Sequence, residues 1–172
     1  MRDVYLHALF SPKAIAVFGS FDGGRVQARV IQSNLERWGY QGRIVPVNWT
    51  TSTEDARRKD VTGVDLAVVC LSPELVSEAL EEIADLGVKA VIVTTPGFRE
   101  VGGAGYYLEE AIIHLAESRN LTLLGPNCLG VASWNDRMNA SLIPRLPAKG
   151  KIAFFSPSAF KPATRSCRYG VC

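Results

Sequence analysis

The chain has 172 residues, of which 47% are hydrophobic and 21% are charged, and its formal net charge is +2 at pH 7. This length and balance predict a soluble globular protein with one domain and the start of a second, and the near-neutral charge argues against nucleic acid as a partner. No apolar stretch reaches the roughly 18 residues that span a bilayer, and the first residues lack a signal-peptide core, so we expect a cytoplasmic protein without a membrane segment.

Short β-branched runs alternate with amphipathic helical stretches along the chain. Five strands are predicted, at Ala14–Phe18, Arg43–Val47, Asp65–Cys70, Ala90–Val93 and Leu121–Leu124. Helical spacing of apolar residues runs from Val26 to Trp38, from Leu75 to Ala84 and from Leu108 to Ala116. Because parallel strands need crossover connections, this alternation predicts an α/β fold, a doubly wound and mostly parallel Rossmann-like sheet with helices on both faces.

The carboxyl ends of parallel strands meet at one edge of such a sheet, and ligands bind there near the reversal of strand order. The loops predicted at this edge are rich in Gly, Pro, Ser, Thr and Asn, and they are Gly19–Gly24, Asn48–Ser52, Leu71–Pro73, Thr94–Phe98 and Gly125–Gly130. Turn chemistry alone explains any one of them equally well. Five together at one edge favour a ligand-binding site.

The last of these loops, Gly125–Gly130, is the most informative stretch of the chain. Its proline fixes φ and removes a backbone donor, its glycines permit left-handed backbone, and Asn127 offers both a side-chain donor and an acceptor. By itself the loop is either a ligand-facing turn or a structural one.

The first loop opens a helix, so its backbone N–H groups and the helix dipole suit a phosphate. Its pattern, Gly19-x-x-x-Gly23-Gly24, is neither the dinucleotide fingerprint nor a Walker A motif. Arg25 and Arg29 either add charge for a phosphorylated ligand or are simply solvated. The second predicted strand is followed by Asn48, where a dinucleotide-binding fold places an acid, which argues against NAD.

The sequence assigns no catalytic residue and no metal ligand. His7 and His114 fall outside the predicted edge loops and are interpreted as structural or solvated. The four cysteines form no C-x-x-C pair, and Cys70, at the end of an apolar run, is predicted to be a small buried residue. No Ser-His-Asp order, H-E-x-x-H motif or carboxylate pair beside a glycine loop can be assembled.

Six motifs occur in order along the chain, at Leu9–Val17, Ile44–Asn48, Val93–Phe98, Leu124–Gly130, Asn139–Ser141 and Gly150–Phe154. Together they resemble the N-terminal CoA-binding domain shared by ADP-forming acyl-CoA synthetases, the succinyl-CoA synthetase α subunit and related protein acetyltransferases with a degenerate synthetase-like region. The fourth motif is the most specific. The resemblance runs from Leu9 to Ser158, nearly the whole chain.

This resemblance implies CoA or acyl-CoA as the ligand and assigns residues to it. Those implied to face the CoA phosphates are Gly19, Ser20, Phe21, Asp22, Gly23 and Gly24, with Arg25 beside them. Asn48 and the residues just after it would face the nucleotide end. Those implied to line the path of the pantetheine arm are Ser72, Pro73, Thr94, Thr95 and Pro96. Asn127 would fix the last loop near the thiol end.

The resemblance also implies what this chain lacks. The family's phosphorylated histidine lies in a later domain, and its ATP-grasp module lies elsewhere again. We therefore expect a CoA-binding module of an acid–thiol ligase that is not active alone, with an ATP-grasp subunit or domain as a partner and self-association left open. The domain is predicted at residues 1–143, and residues 144–172 are predicted to hold a linker, the first strand of a truncated second domain and an irregular tail. The stretch from Ala132 to Ser141 is also predicted to be irregular.

The chain departs from the family pattern at three places. Its first loop reads Gly-Ser-Phe-Asp where the family has Gly-Ala-Ser, Trp49-Thr50-Thr51 replaces the usual lysine after Asn48, and Ser156-Pro157-Ser158-Ala159 replaces Ser-Gln-Ser-Gly. Two alternatives therefore stay open. One is an NAD(P)-binding Rossmann domain of an oxidoreductase or redox sensor, and the other is an interaction domain without a ligand.

Overall fold

A computed structural model describes residues 3–21, 26–49, 61–145, 149–151 and 153. Its main sheet consists of β1 (Ala14–Gly19), β2 (Arg43–Asn48), β3 (Leu66–Val69), β4 (Ala90–Val93) and β5 (Thr122–Leu124). All neighbours are parallel, in the order β2-β1-β3-β4-β5. The predicted doubly wound α/β fold is confirmed, and each predicted strand agrees to within one residue at either end.

The described helices are α1 (Asp3–Phe10), α2 (Gln27–Arg37), α3 (Pro73–Asp85) and α4 (Ala104–Ser118), with a 3-10 turn at Arg99–Val101. Helix α1 was not predicted from the sequence, because eight residues make barely two turns and give little periodic signal. At the start of α3, Ser72 has the extended backbone of an N-cap residue, but its side chain makes no capping hydrogen bond. The proline that follows it is the first residue of the helix.

The central strands are buried on both faces, which explains why they read as unbroken apolar runs. Phe18 and Val69 pack into the core between the sheet and the helices α3 and α4. Val17 and Val68, their neighbours in sequence, point to the opposite core, which includes Ile31 of α2. Side chains therefore alternate between two hydrophobic layers along the same strands.

The stretch predicted to be irregular between Ala132 and Ser141 is an antiparallel hairpin, so that prediction was wrong. Its strands are β6 (Gly130–Ser133) and β7 (Met138–Ser141). All four residues of β7 are buried, including Asn139 and Ser141. Met138 to Ser141 do alternate apolar and polar residues, but over four residues only, and the polar ones are buried as well, so the pattern is too short to indicate a strand.

Residues 144–172, predicted to hold a linker, the first strand of a second domain and an irregular tail, lie mostly outside the described residues. Within the described ranges, none of the helices combines the length and apolar character needed to traverse a bilayer.

Candidate functional site

The carboxyl ends of the five strands form one continuous surface, called here the carboxyl edge, and the strand order reverses beside β1 as the sequence analysis expected. Backbone and side-chain hydrogen bonds tie its loops to one another. The N–H of Trp49 donates to the carbonyl oxygen of Gly19 at 3.0 Å, which joins the first and second loops. The hydroxyl of Thr95 donates to the carbonyl oxygen of Leu71 at 2.8 Å, and the N–H of Asn127 donates to the carbonyl oxygen of Thr95 at 2.9 Å. The third, fourth and fifth loops are thus linked in a row.

Gly19, the last residue of β1, is buried and lies directly against α2. A Cβ atom at this position would lie 2.4 Å from the Cβ of Ala28, so only glycine allows this approach. The first turn of α2 contains no acidic residue, and its N-cap residue, Val26, makes no side-chain capping bond. The positive end of the helix dipole is therefore not neutralised by these residues. Four predicted site residues of the same loop lie outside the described residues, namely Asp22, Gly23, Gly24 and Arg25.

Ser20 and Phe21 continue the first loop and are both half-buried. The ring of Phe21 packs against the core on the α2 side of the sheet. Both residues stand at the carboxyl edge, where the sequence analysis expected them.

Asn48 is the last residue of β2 and is half-buried at the edge. Trp49 follows it with only 8% of its surface exposed, and its ring centroid lies 6.2 Å from that of Phe18. The second loop therefore opens with an amide and a packed aromatic ring, while residues 50–60 lie outside the described part of the chain.

The hydroxyls of Thr94 and Thr95 are buried and bonded to neighbouring strands, so they do not project from the edge. The Thr94 hydroxyl lies 3.3 Å from the Cys70 sulfur and donates to the Val69 carbonyl oxygen at 3.4 Å, whereas the Thr95 hydroxyl is held by Leu71. Both threonines are at most 2% exposed. Their side chains support the fourth loop from beneath.

The exposed surface of the third and fourth loops comes instead from Ser72, which is half-buried, and Pro96, which is exposed. Pro73 is buried beneath Gly97. Gly97 has φ = +108°, and a Cβ there would lie 2.7 Å from Cγ of Pro73. Gly97 was not predicted as a site residue, although a glycine directly after a proline in a predicted edge loop was a usable signal.

Gly125, the first residue of the last loop, packs closely against the end of β4. Gly125 has φ = +101°, and a Cβ at this position would lie 2.3 Å from the carbonyl oxygen of Val93. The peptide bond that follows, to Pro126, is cis. Asn127 has φ = +55° and is half-buried at the edge, and the thiol of Cys128 donates to the same Val93 carbonyl at 3.3 Å.

The two described cysteines of the edge are neutral at physiological pH. Burial raises the pKa of Cys70 to about 11, partly offset by the hydrogen bond to Thr94, and burial likewise raises the pKa of Cys128. A thiol with a raised pKa is a poor nucleophile. Apart from these thiols, the described parts of the five edge loops carry no titratable side chain. Across the described ranges no group of three His, Cys, Asp or Glu residues could hold a metal ion. The described part of this surface therefore presents groups that can bind and orient a ligand.

Comparisons with known proteins agree with this geometry. A family model described as a CoA binding domain matches residues 13–134, which include all five strands of the sheet. A 4-hydroxybutyrate–CoA ligase (ADP-forming) of Nitrosopumilus maritimus is 36% identical, over 87% of this chain and 22% of the ligase. Subunit alpha of acetate–CoA ligase (ADP-forming) I of Pyrococcus furiosus is 32% identical, over 89% of this chain and 35% of the subunit.

A solved structure gives the same result. The dinucleotide-forming acetyl-coenzyme A synthetase 1 of Ca. Korarchaeum cryptofilum, in complex with phosphate and ADP, superposes with a TM-score of 0.74 at 32% identity. The match covers 89% of this chain and 33% of the synthetase. The chain therefore spans between about a fifth and a third of the length of these proteins.

Proposed function

Because the chain belongs to the CoA-binding domain family, we propose that it binds coenzyme A or an acyl-CoA along the carboxyl edge of its sheet. The observation that carries this proposal is the row of hydrogen-bonded loops at the reversal of strand order, inside the segment that matches the family. Parallel α/β sheets bind their ligands in this position. The described side chains of the edge are neutral, which suits a ligand that is held and oriented.

The phosphates of CoA would lie at the first loop. The contact between Gly19 and Ala28 supports this assignment, because it brings the start of α2 against the end of β1. Backbone N–H groups at a helix start and the dipole of the helix attract phosphate. Ser20 and Phe21 continue from Gly19 at the edge, and the roles of residues 22–25 remain predictions.

The rest of the ligand would follow the remaining loops. Asn48 would meet the nucleotide end, Ser72 and Pro96 would line the pantetheine arm, and Asn127 would lie near the thiol. The buried side chains of Thr94, Thr95 and Pro73 would contribute indirectly, because they hold the third and fourth loops in place beneath the ligand.

We further propose that the chain supplies CoA to a longer acyl-CoA ligase of the ADP-forming class. Its relatives carry this domain as one portion of a much longer chain. Residues outside that portion, in an ATP-grasp subunit or domain, would activate the acid. The domain would end near residue 143, and the assembled enzyme would work in the cytoplasm.

Calorimetric titration with CoA, dephospho-CoA, NAD and ADP tests the proposal. We expect CoA to bind most tightly and dephospho-CoA more weakly, because the latter lacks a phosphate. A heat of binding with NAD, and none with the other three ligands, would contradict the proposal and favour an oxidoreductase domain. A folded protein that binds none of the four would favour an interaction domain.

A matched pair of variants locates the site. Asn127 and Asn120 have nearly the same left-handed backbone, with φ = +55° and +56°. Asn127→Gly removes the amide without straining the turn and is expected to weaken CoA binding about tenfold, equal to about 1.4 kcal/mol. Asn120 lies at the amino end of β5, so Asn120→Gly is expected to leave CoA affinity unchanged.

A further inference from the structure

A buried polar network connects α2 with the segment that follows β7. Asn34, in the second half of α2, is only 5% exposed. Its amide nitrogen donates to the carbonyl oxygen of Ser141 at 2.8 Å and to that of Ile143 at 3.1 Å. One side chain on the helix therefore holds two backbone carbonyls more than 100 residues away in sequence.

Two further side chains complete the network. The amide nitrogen of Asn139 also donates to the carbonyl oxygen of Ile143, at 2.9 Å. The hydroxyl of Ser141 donates to Oδ1 of Asn139 at 2.6 Å and accepts from the N–H of Ile143 at 3.1 Å. Both backbone groups of Ile143 are thus satisfied by side chains. We call the side chains of Asn34, Asn139 and Ser141, with the backbone of Ile143, the exit latch.

The exit latch fixes where the chain leaves the domain. A buried amide or carbonyl that loses its partner pays the full cost of desolvation, so a buried network of this kind has one favourable arrangement. Displacement of Ile143 relative to α2 would break the bond to Asn34 and leave its buried amide without that acceptor. Any movement of α2 is therefore expected to carry the segment after β7 with it.

The other end of α2 lies at the carboxyl edge. Ala28, in its first turn, meets Gly19 so closely that no side chain fits between them. Asn34 follows Ala28 by six positions, which is about 9 Å along a helix. An uninterrupted helix thus joins the loop that begins the proposed CoA site to the exit latch.

We propose that Asn34 is a positioning residue that couples occupancy of the carboxyl edge to the placement of residues 141–145, and hence of whatever part of a longer protein follows them. The inference rests on the proposed function, because CoA is the ligand that would bias α2. Coupling between two sites is reciprocal. CoA binding should therefore tighten the exit latch, and loss of the latch should weaken CoA binding.

Hydrogen–deuterium exchange at the backbone amide of Ile143, whose N–H donates to the Ser141 hydroxyl in the exit latch, tests the coupling with and without saturating CoA. The amide of Leu142 donates instead to the carbonyl oxygen of Leu129 in the last edge loop, so it reports that loop and not the latch. In the wild-type chain we expect CoA to slow exchange at Ile143 several-fold. Asn34→Leu keeps a side chain of similar shape but removes both donated bonds, and it is expected to abolish the CoA-dependent slowing and to raise the Kd for CoA several-fold. Ile31→Val, a buried substitution on the same helix, lowers stability without touching the latch and should keep the CoA-dependent slowing.

The readout is the ratio of exchange rates with and without CoA, which a purely structural role of Asn34 would leave unchanged. If Asn34→Leu does not fold, Ser141→Ala removes the acceptor for the Ile143 N–H and the donor to Asn139 but keeps both bonds from Asn34, and it should reduce the ratio part of the way. CoA binding without protection of the Ile143 amide in the wild-type chain would overturn this inference and leave the proposed function standing. Absence of CoA binding would overturn both.

Discussion

The buried hydroxyl of Thr95 donates a hydrogen bond to the backbone carbonyl oxygen of Leu71 at 2.8 Å. This bond joins the end of β4 to the end of β3, and the backbone of Thr95 is joined in turn to Asn127. The three loops that would receive the pantetheine arm are therefore one hydrogen-bonded unit. It is held together by one buried side-chain hydroxyl and one backbone hydrogen bond.

The Thr95 hydroxyl is expected to matter for stability. Thr95→Val keeps the shape of the side chain but leaves the carbonyl oxygen of Leu71 without this donor, which should lower the free energy of unfolding by about 1–3 kcal/mol. Thr95→Ser keeps the hydroxyl and removes one methyl group, so its cost should be smaller, about 0.8 kcal/mol. Urea unfolding followed by circular dichroism measures both. Equal midpoints for Thr95→Val and the wild type would contradict the role assigned to this bond.

Gly125 is expected to tolerate no side chain. Gly125→Ala places a methyl group in left-handed backbone and 2.3 Å from the carbonyl oxygen of Val93. Gly87→Ala is the matched control, because Gly87 also has positive φ, +79°, but no atom within 4 Å of the added methyl. Backbone strain alone should cost the control about 1–2 kcal/mol in urea unfolding. Gly125→Ala should cost more and should also weaken CoA binding in calorimetry, whereas equal losses would show that the close contact relaxes freely.

The sequence predicted the sheet well because its buried strands consist of apolar residues on both faces. Once β1, β3 and β4 were recognised, the position of the edge loops followed from the rule that parallel strands end together. The hairpin and the exit latch were not predicted, because several of the residues that form them are polar rather than apolar. Asn34, Asn139 and Ser141 are polar residues at buried positions, and their partners are set by the tertiary fold and not by local spacing.

The two threonines of the fourth loop show the same limit at the site. Their place at the carboxyl edge was predicted from the strand pattern. The direction of their hydroxyls was not, because it depends on the neighbouring carbonyls of β3 and the residues after it. Polar residue types at an edge indicate a site, but which of them face the ligand is decided by packing.

Stability is expected to fall in alkaline solution through Cys70. Burial raises the pKa of its thiol to about 11 in the folded chain, from an ordinary value of 9.0. The folded state therefore favours the protonated thiol, and its contribution is complete below pH 9 and is lost as pH rises from 9 to 11. At pH 10 the loss should be about 1 kcal/mol.

Cys70→Ala isolates this contribution. Between pH 8 and pH 10, urea unfolding of the variant should change less than that of the wild type, because Cys128 and the buried Tyr40, whose pKa is raised to about 12, are common to both. Parallel pH profiles for the two proteins would mean that Cys70 ionises in the folded chain as readily as in the unfolded one.

Trp49 should report ligand binding directly. It is 8% exposed, follows Asn48 at the end of β2, and donates its backbone N–H to Gly19, so the proposed phosphate and nucleotide contacts lie on either side of it. We expect CoA to change the tryptophan fluorescence of the wild type, and Trp49→Phe, which preserves an aromatic ring against Phe18, to remove most of that change. Trp134→Phe is the control, because Trp134 lies in the β6–β7 turn, whose residues 135–137 line a cavity with Lys13 at the opposite edge of the sheet. A signal that survives in Trp49→Phe and disappears in Trp134→Phe would place the ligand at that opposite edge and contradict the assignment of CoA to the carboxyl edge.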